Sequence, residues 1–159
     1  MYKIFLGLGS NVGDKIENIK KAIFFLKKHI TDIQIAPFYI SKAIGYENQE
    51  NFINTVLKGY TVLSPLELLD FTKSVEKKVG RVYRFHWGPR EIDIDILFFD
   101  NLVIDMENLK IPHPRLHERD FVLVPLKDLD ENFIHPIFNK TVKELNKDLK
   151  IKSIIDKLD

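Results

Sequence analysis

The chain opens on an apolar run, Tyr2 to Leu8, which predicts a buried strand. Ile16, Ile19, Ala22, Ile23 and Leu26 then recur at helical spacing with lysines between them. Asp14 stands in the N-cap position of that helix, with Glu17 three residues later as a capping-box partner. Ile33 to Ile40 reads as a second strand, polar Ser41 to Asn51 with Gly45 as a loop, and Phe52 to Val62 as a third strand. Ser64-Pro65 opens a second helix, Ser as N-cap, Pro in the first turn and Glu67 completing the box, and the pattern runs to Gly80. Basic and aromatic Val79 to His86 is another loop. Ile92 to Phe99 is a fourth strand that turns at Asp100-Asn101 into Leu102-Val103-Ile104 as a hairpin. From Leu109 the chain reads as irregular, with Pro112, Pro114 and Pro125, until a short helix at Thr141 to Leu149. The order βαββαβ with C-terminal additions is that of a ferredoxin-like α+β fold, an antiparallel sheet backed by helices. With 159 residues and no linker or repeat, residues 1–159 are expected to form one domain.

Composition removes several classes of function. Lys+Arg number 24 against 23 Asp+Glu, which gives no support to general nucleic-acid binding. With no cysteine there is no disulfide scaffold, thiolate metal site or cysteine nucleophile, and a cytoplasmic setting fits. No apolar run approaches the roughly 18 residues of a membrane span. The N-terminal run continues into Gly-rich and charged sequence rather than into a signal-peptide cleavage site.

Candidate chemistry begins in the fourth strand. In Glu91-Ile92-Asp93-Ile94-Asp95-Ile96 the alternation sets Asp93 and Asp95 on one face, about 6–7 Å apart, and the isoleucines on the other. Such a pair suits Mg²⁺, which takes carboxylate oxygen, water and substrate phosphates, although a solvated strand face would carry the same pattern. Arg81, Arg84 and Arg90 lie within ten residues beside Lys77, Lys78 and His86, and guanidinium forks match phosphate oxygens. Metal-binding carboxylates and arginines in one segment fit phosphoryl transfer. Gly7, Gly9 and Gly13 form neither G-x-G-x-x-G nor a P-loop, and read better as a tight strand-to-helix turn.

Two further clusters bear on the same chemistry. His113 and His117 have zinc spacing, but the prolines around His113 and the lack of a third ligand favour Arg115 and Arg119 as anion contacts and His113 as a phosphate donor. In Asn48-Gln49-Glu50-Asn51-Phe52-Ile53-Asn54, a strand asparagine offers donor and acceptor to a heteroaromatic ring edge, and Phe52 and Phe121 could flank such a ring. A metal-dependent nucleotidyl or phosphoryl transferase shares these features. An RNA-binding module on the same fold would need a basic surface and an aromatic signature that this chain lacks.

Together, Leu8-Gly9-Ser10-Asn11, Gln49 with Phe52-Ile53-Asn54, Glu76 with Gly80-Arg81, Trp87-Gly88-Pro89-Arg90 through Asp95, Pro112-His113-Pro114-Arg115 and Arg119-Asp120-Phe121 resemble the 6-hydroxymethyl-7,8-dihydropterin pyrophosphokinase family, in the same order from about residue 4 to 127. The W-G-P-R-x-x-D-x-D segment is the specific part. The resemblance implies transfer of pyrophosphate from ATP to the pterin hydroxymethyl group with release of AMP, in folate biosynthesis. It implies two Mg²⁺ ions on Asp93 and Asp95, with Arg81 and Arg90 as catalytic phosphate contacts. Glu76, Arg84, Trp87, Arg90, His113 and Arg119 fall on the ATP side. Ser41, Ala43, Ile44, Phe52, Asn54, Trp87, Asp93 and Phe121 fall on the pterin side. The enzyme so implied is a cytoplasmic monomer with ATP and the pterin as partners, and with no nucleic acid or membrane among them. The chain departs from the family in a short Arg81 to Trp87 loop, in Phe52 where some members have tyrosine, and in the absence of proline from Ser41-Lys42-Ala43-Ile44.

Overall fold

The computed structural model describes residues 1–45 and 48–158, so Tyr46 and Glu47 of the first loop and the last residue, Asp159, lie outside the described residues. β1 (Tyr2–Ser10) leads through α1 (Lys15–Leu26) to β2 (Thr31–Ile35), β3 (Tyr39–Ser41) and β4 (Phe52–Thr61). α2 (Pro65–Val79) precedes β5 (Asp93–Phe99), the two-residue strands β6 (Ile104–Asp105) and β7 (Lys110–Ile111), α3 (Asp120–Asp130), α4 (Val142–Lys147) and β8 (Ile154–Lys157). The result is a mixed α/β protein. Its main sheet runs β5-β1-β4-β3-β8, every pair antiparallel, with β2 also paired to β4.

Alternation along β1 divides the core in two. Ile4, Leu6 and Leu8 face α1 and α2, where Ile19, Ala22, Leu26, Leu68 and Val75 meet Ile92, Ile94 and Ile96. Phe5 faces the other side, where Val56, Leu97 and Phe98 pack against Leu116, Leu123, Leu126, Val142 and Leu145. Each buried Leu, Ile, Val or Phe among them contributes about 1.5–3 kcal/mol of transfer free energy. The caps follow the sequence: Asp14 accepts from Glu17 N, and Ser64 with Glu67 forms a reciprocal capping box, as does Thr141 with Glu144.

Four expectations change. The strand expected at Ile33 to Ile40 is two strands, because Pro37 has no N–H for the ladder; Ala36 N still donates to Val56 O, and β3 resumes with Tyr39 opposite Asn54. The expected hairpin at Asp100-Asn101 is a turn only. Ile104 pairs with Ile111, since the outer edge of β5 is taken by the Glu76 side chain at Ile94 N and by His113 N at Leu97 O. The stretch after Leu109 read as irregular contains α3, whose buried Val122, Leu123 and Leu126 carry the helix past Pro125. Gly7 and Gly9 lie inside β1 rather than in a turn, and only Gly13 has the left-handed backbone of one.

Candidate active site

The strand register builds the floor. Gly9 lies opposite Asn54 of β4 on one side and Asp93 of β5 on the other, and Gly7 lies opposite Val56 and Asp95. Paired residues share a face, so Asn54, Asp93 and Asp95 all project to the α3 side, with bare glycine between the two outer strands. A Cβ on Gly9 would stand 2.7 Å from Asn54 Oδ1. The Asn54 amide donates to Ser41 Oγ at 2.6 Å, which fixes its orientation. Above this floor opens a cavity of about 530 Å³.

The cavity walls come from three connections. Ile44 and Phe52 stand on one side, Arg119 and Phe121 at the start of α3 on another, and Arg81 to Arg90 on the third. Gly45 adopts a left-handed φ of 90° against the Trp87 ring, where a Cβ would fall 1.8 Å from a ring carbon. Asn11, buried at the end of β1, ties the connections together: Nδ2 donates to Gln49 Oε1 (2.7 Å) and Glu50 O (3.2 Å), and Oδ1 accepts from Arg90 N (2.9 Å). Gln49 Nε2 donates onward to Trp87 O at 2.9 Å. Arg115 lies over the Trp87 ring at 5.3 Å.

Charge is dense at the carboxylates. Asp93 accepts from Arg81 at 3.1 Å and Arg90 at 3.2 Å. Arg81 also donates to Glu76 Oε2 at 2.8 Å, and that oxygen accepts from Ile94 N at 2.8 Å. Burial holds the Glu76 carboxyl above its usual range against the opposing pull of that backbone bond and Arg81. Burial and neighbouring Asp93 raise Asp95 well above an ordinary carboxylate. Burial lowers His113 to about 4, with Arg119 adding to the shift. Its Nδ1 accepts from Arg115 N at 3.2 Å, so the neutral ring has Nε2–H to donate.

A second cavity of about 350 Å³, lined by Leu69, Thr72, Glu76, Ile96, Asn108 and Lys110 among others, adjoins the first. Arg81, Asp93, Asp95, His113 and Pro114 line both, so the two spaces meet at the carboxylate pair. The structure thus gathers the expected residues Ile44, Phe52, Asn54, Arg81, Arg84, Trp87, Arg90, Asp93, Asp95, His113, Arg119 and Phe121 around the larger cavity. Glu76 lines the smaller cavity only; Ser41 and Ala43 are buried, Ser41 beneath Asn54. Arg84 is turned into its own loop, donating to Glu91 at 2.6 and 3.1 Å and to Val82 O and Pro89 O. That pairing lowers Glu91 to about 2. The sequence reading assigned no role to Asn11 or Gln49 and took Gly45 only as backbone of the Ser41 to Gly45 loop on the pterin side; the partners of all three lie far along the chain, and only the motif around Asn11 and Gln49 marked those two.

Among the described residues no group of three or more His, Asp or Glu could hold a metal ion. Asp93 and Asp95, which share one strand face and line both cavities, offer carboxylate oxygens of the kind Mg²⁺ takes together with phosphate and water.

Residues 5–131 match the family model described as 7,8-dihydro-6-hydroxymethylpterin-pyrophosphokinase. The chain is 52% identical over 152 residues to 2-amino-4-hydroxy-6-hydroxymethyldihydropteridine pyrophosphokinase of Aquifex aeolicus, covering 96% of this chain and 95% of that one. It is 39% identical over 127 residues to the protein of the same name from Bacillus subtilis, covering 79% and 76%. The fold is similar to the crystal structure of wild-type Plasmodium falciparum HPPK-DHPS, with a TM-score of 0.71 at 17% identity, covering 92% of this chain and 40% of that one.

Proposed function

The chain belongs to the 7,8-dihydro-6-hydroxymethylpterin-pyrophosphokinase family, and on that premise we propose how its own residues divide the work. The reaction moves pyrophosphate from ATP to the hydroxymethyl group of 6-hydroxymethyl-7,8-dihydropterin, releases AMP and serves folate biosynthesis. One observation carries the assignment: two cavities of different lining meet at Asp93 and Asp95. The larger takes the pterin at Asn54, with Phe52, Phe121 and Trp87 as flanking rings, Ile44 as the loop wall and the buried Ser41 and Ala43 supporting that wall from behind. The smaller, with Glu76 at its edge, takes the nucleoside end of ATP, and the triphosphate crosses between them.

Asp93 and Asp95 hold the magnesium in this reading. Two Mg²⁺ ions bound there would offset triphosphate charge and orient the β-phosphorus for in-line attack. Arg81 and Arg90, now paired with Asp93, supply guanidinium forks to the phosphates, while Arg119 and neutral His113 donate from the opposite wall. Arg84 joins the ATP side by exchanging Glu91 for phosphate. The Asn54 amide, anchored on Ser41, presents Oδ1 to ring N–H donors of the pterin. In-line transfer then depends on holding the acceptor oxygen close to phosphorus, which the bare Gly7–Gly9 floor permits.

The sheet order, with β5, β1 and β4 followed by β2 and β3, supports a ferredoxin-like βαββαβ domain over residues 1–159, with α3, α4 and β8 as additions. We take the enzyme to act as a cytoplasmic monomer on two small substrates, with no nucleic acid or membrane partner. A net charge of +1 supports the nucleic-acid part of that reading.

The test is a product assay with ATP, Mg²⁺ and 6-hydroxymethyl-7,8-dihydropterin. Pterin-dependent AMP in step with pterin pyrophosphate is the expected result; ADP, or free pyrophosphate, overturns it. Asp95→Ala should cost turnover about a hundredfold or more. Mg²⁺ titration in the presence of a non-hydrolysable ATP analogue should lose its binding heat in the same variant. Near-normal turnover with retained Mg²⁺ binding would remove Asp95 from the site.

A further inference from the structure

Ser153 and Asp120 line neither cavity, yet they join two walls of the larger one. Asp120 is the first residue of α3, between Arg119 and Phe121, which both line the cavity. Its buried carboxylate accepts three hydrogen bonds from one short segment: Oδ2 from Ser153 N at 2.7 Å and Ile154 N at 2.9 Å, and Oδ1 from the Ser153 hydroxyl at 2.5 Å. On its other side Ser153 O accepts from Lys42 N at 3.0 Å, the residue after Ser41. β8 then runs antiparallel to β3, with Ile154 opposite Ser41. Ser41 in turn accepts from Asn54.

A single residue thus bonds through its N–H and hydroxyl to the start of α3, and through its carbonyl to the 41–44 loop. Hydrogen bonds to a buried carboxylate are among the stronger ones a fold can make, and they fix the relative position of what they join. Residues matched to the family model end at 131, so the tie comes from a part of the chain beyond that match. We propose that Ser153 and Asp120 are positioning residues for the acceptor: they set the spacing between the Phe121 wall and the Ser41–Ile44 wall. The C-terminal strand thereby governs acceptor affinity. The inference rests on the reading of this cavity as the pterin site.

Most of the triphosphate subsite is held apart from the tie, by Glu76 on α2, Arg81 just after it and Asp93 on β5, although Arg119, a phosphate contact, adjoins Asp120. Loosening the tie at Ser153 therefore acts chiefly on the acceptor. Steady-state kinetics of Ser153→Ala, Ser153→Thr, Asp120→Ala and Asn54→Ala, varying each substrate in turn, tests this. Ser153→Ala should raise the acceptor KM about fivefold with the ATP KM nearly unchanged and Ser153→Thr restoring the wild-type value, and Asp120→Ala should raise the acceptor KM about tenfold and more than the ATP KM. The Lys42 amide should also exchange faster in Ser153→Ala. Ser153→Ala removes only a hydroxyl, so it carries the test if Asp120→Ala does not fold. An unchanged acceptor KM in Ser153→Ala, or equal rises for both substrates, overturns the tie while Asn54→Ala still weakens the pterin. If Asn54→Ala leaves the pterin unaffected, the pocket reading fails first and the tie falls with it.

Discussion

Gly9 shows what one missing side chain does for this site. It sits between Asn54 and Asp93 in adjacent strands, and any Cβ there would press on an amide already anchored to Ser41. Relief would require Asn54 to leave its hydrogen bond or β1 to shift, an overpacking cost of about 1–3 kcal/mol. Gly9→Ala should therefore weaken the pterin about tenfold and leave ATP binding near wild type, as separate calorimetric titrations would reveal. Equal affinity for pterin in the variant would mean that Asn54 does not orient it. Asp93 and Asp95 were legible from the sequence because strand alternation is a local rule, and two carboxylates on the polar face of an apolar run break the usual composition. The role of Gly9 was not legible, because it depends on which strands flank β1 and in what register.

Elements meet at Asn11. Its amide holds the end of β1 to the 49–50 segment and to Arg90, and Gln49 passes the connection to Trp87. Three connections that form the cavity walls thus depend on one buried side chain. Asn11→Ala leaves Arg90 N and the Gln49 amide without these partners, and should cost about 1–3 kcal/mol in stability. Hydrogen exchange should rise at residues 49–50 and 87–90 and stay unchanged in α1 and α2. Exchange that rises uniformly would show only a weaker fold. The elements themselves were read where local signals are strong: Ser64-Pro65 with Glu67 opened α2, and helical pattern alone placed a short helix at Thr141 to Leu149, where α4 lies. β8 was missed because its residues are largely exposed on a sheet edge and carry no alternation. α3 was missed because Pro125 argued against a helix that two tertiary contacts, with the sheet and with α4, maintain.

At the scale of the molecule, the face of the sheet opposite α1 and α2 is closed by the C-terminal third, and His135 lies within that closure. The ring is buried, stacks on Phe138 at 4.4 Å, and its Nδ1 accepts from Ile137 N and Phe138 N at 3.2 Å each. Burial lowers its pKa to about 4, and His117 adds to the shift. The unfolded chain binds that proton near pH 6.5, so between about 6.5 and 4 the unfolded state holds more protons than the folded one. The contribution of His135 to stability is whole above about 6.5 and is lost progressively as pH falls towards 4. His113 acts with the same sign, whereas paired carboxylates such as Glu91 act at lower pH. His135→Asn keeps an acceptor oxygen near the Nδ1 position and cannot titrate. Its thermal midpoint should fall less steeply than that of the wild type between about pH 7 and 4.5, whatever its absolute value, because the other groups that titrate there, His113 with the same sign and the raised Glu76 and Asp95 with the opposite one, are common to both proteins. Parallel curves for the two proteins would mean that the C-terminal layer takes up a proton at His135 as readily folded as unfolded, and that this face of the sheet is wetter than its packing implies.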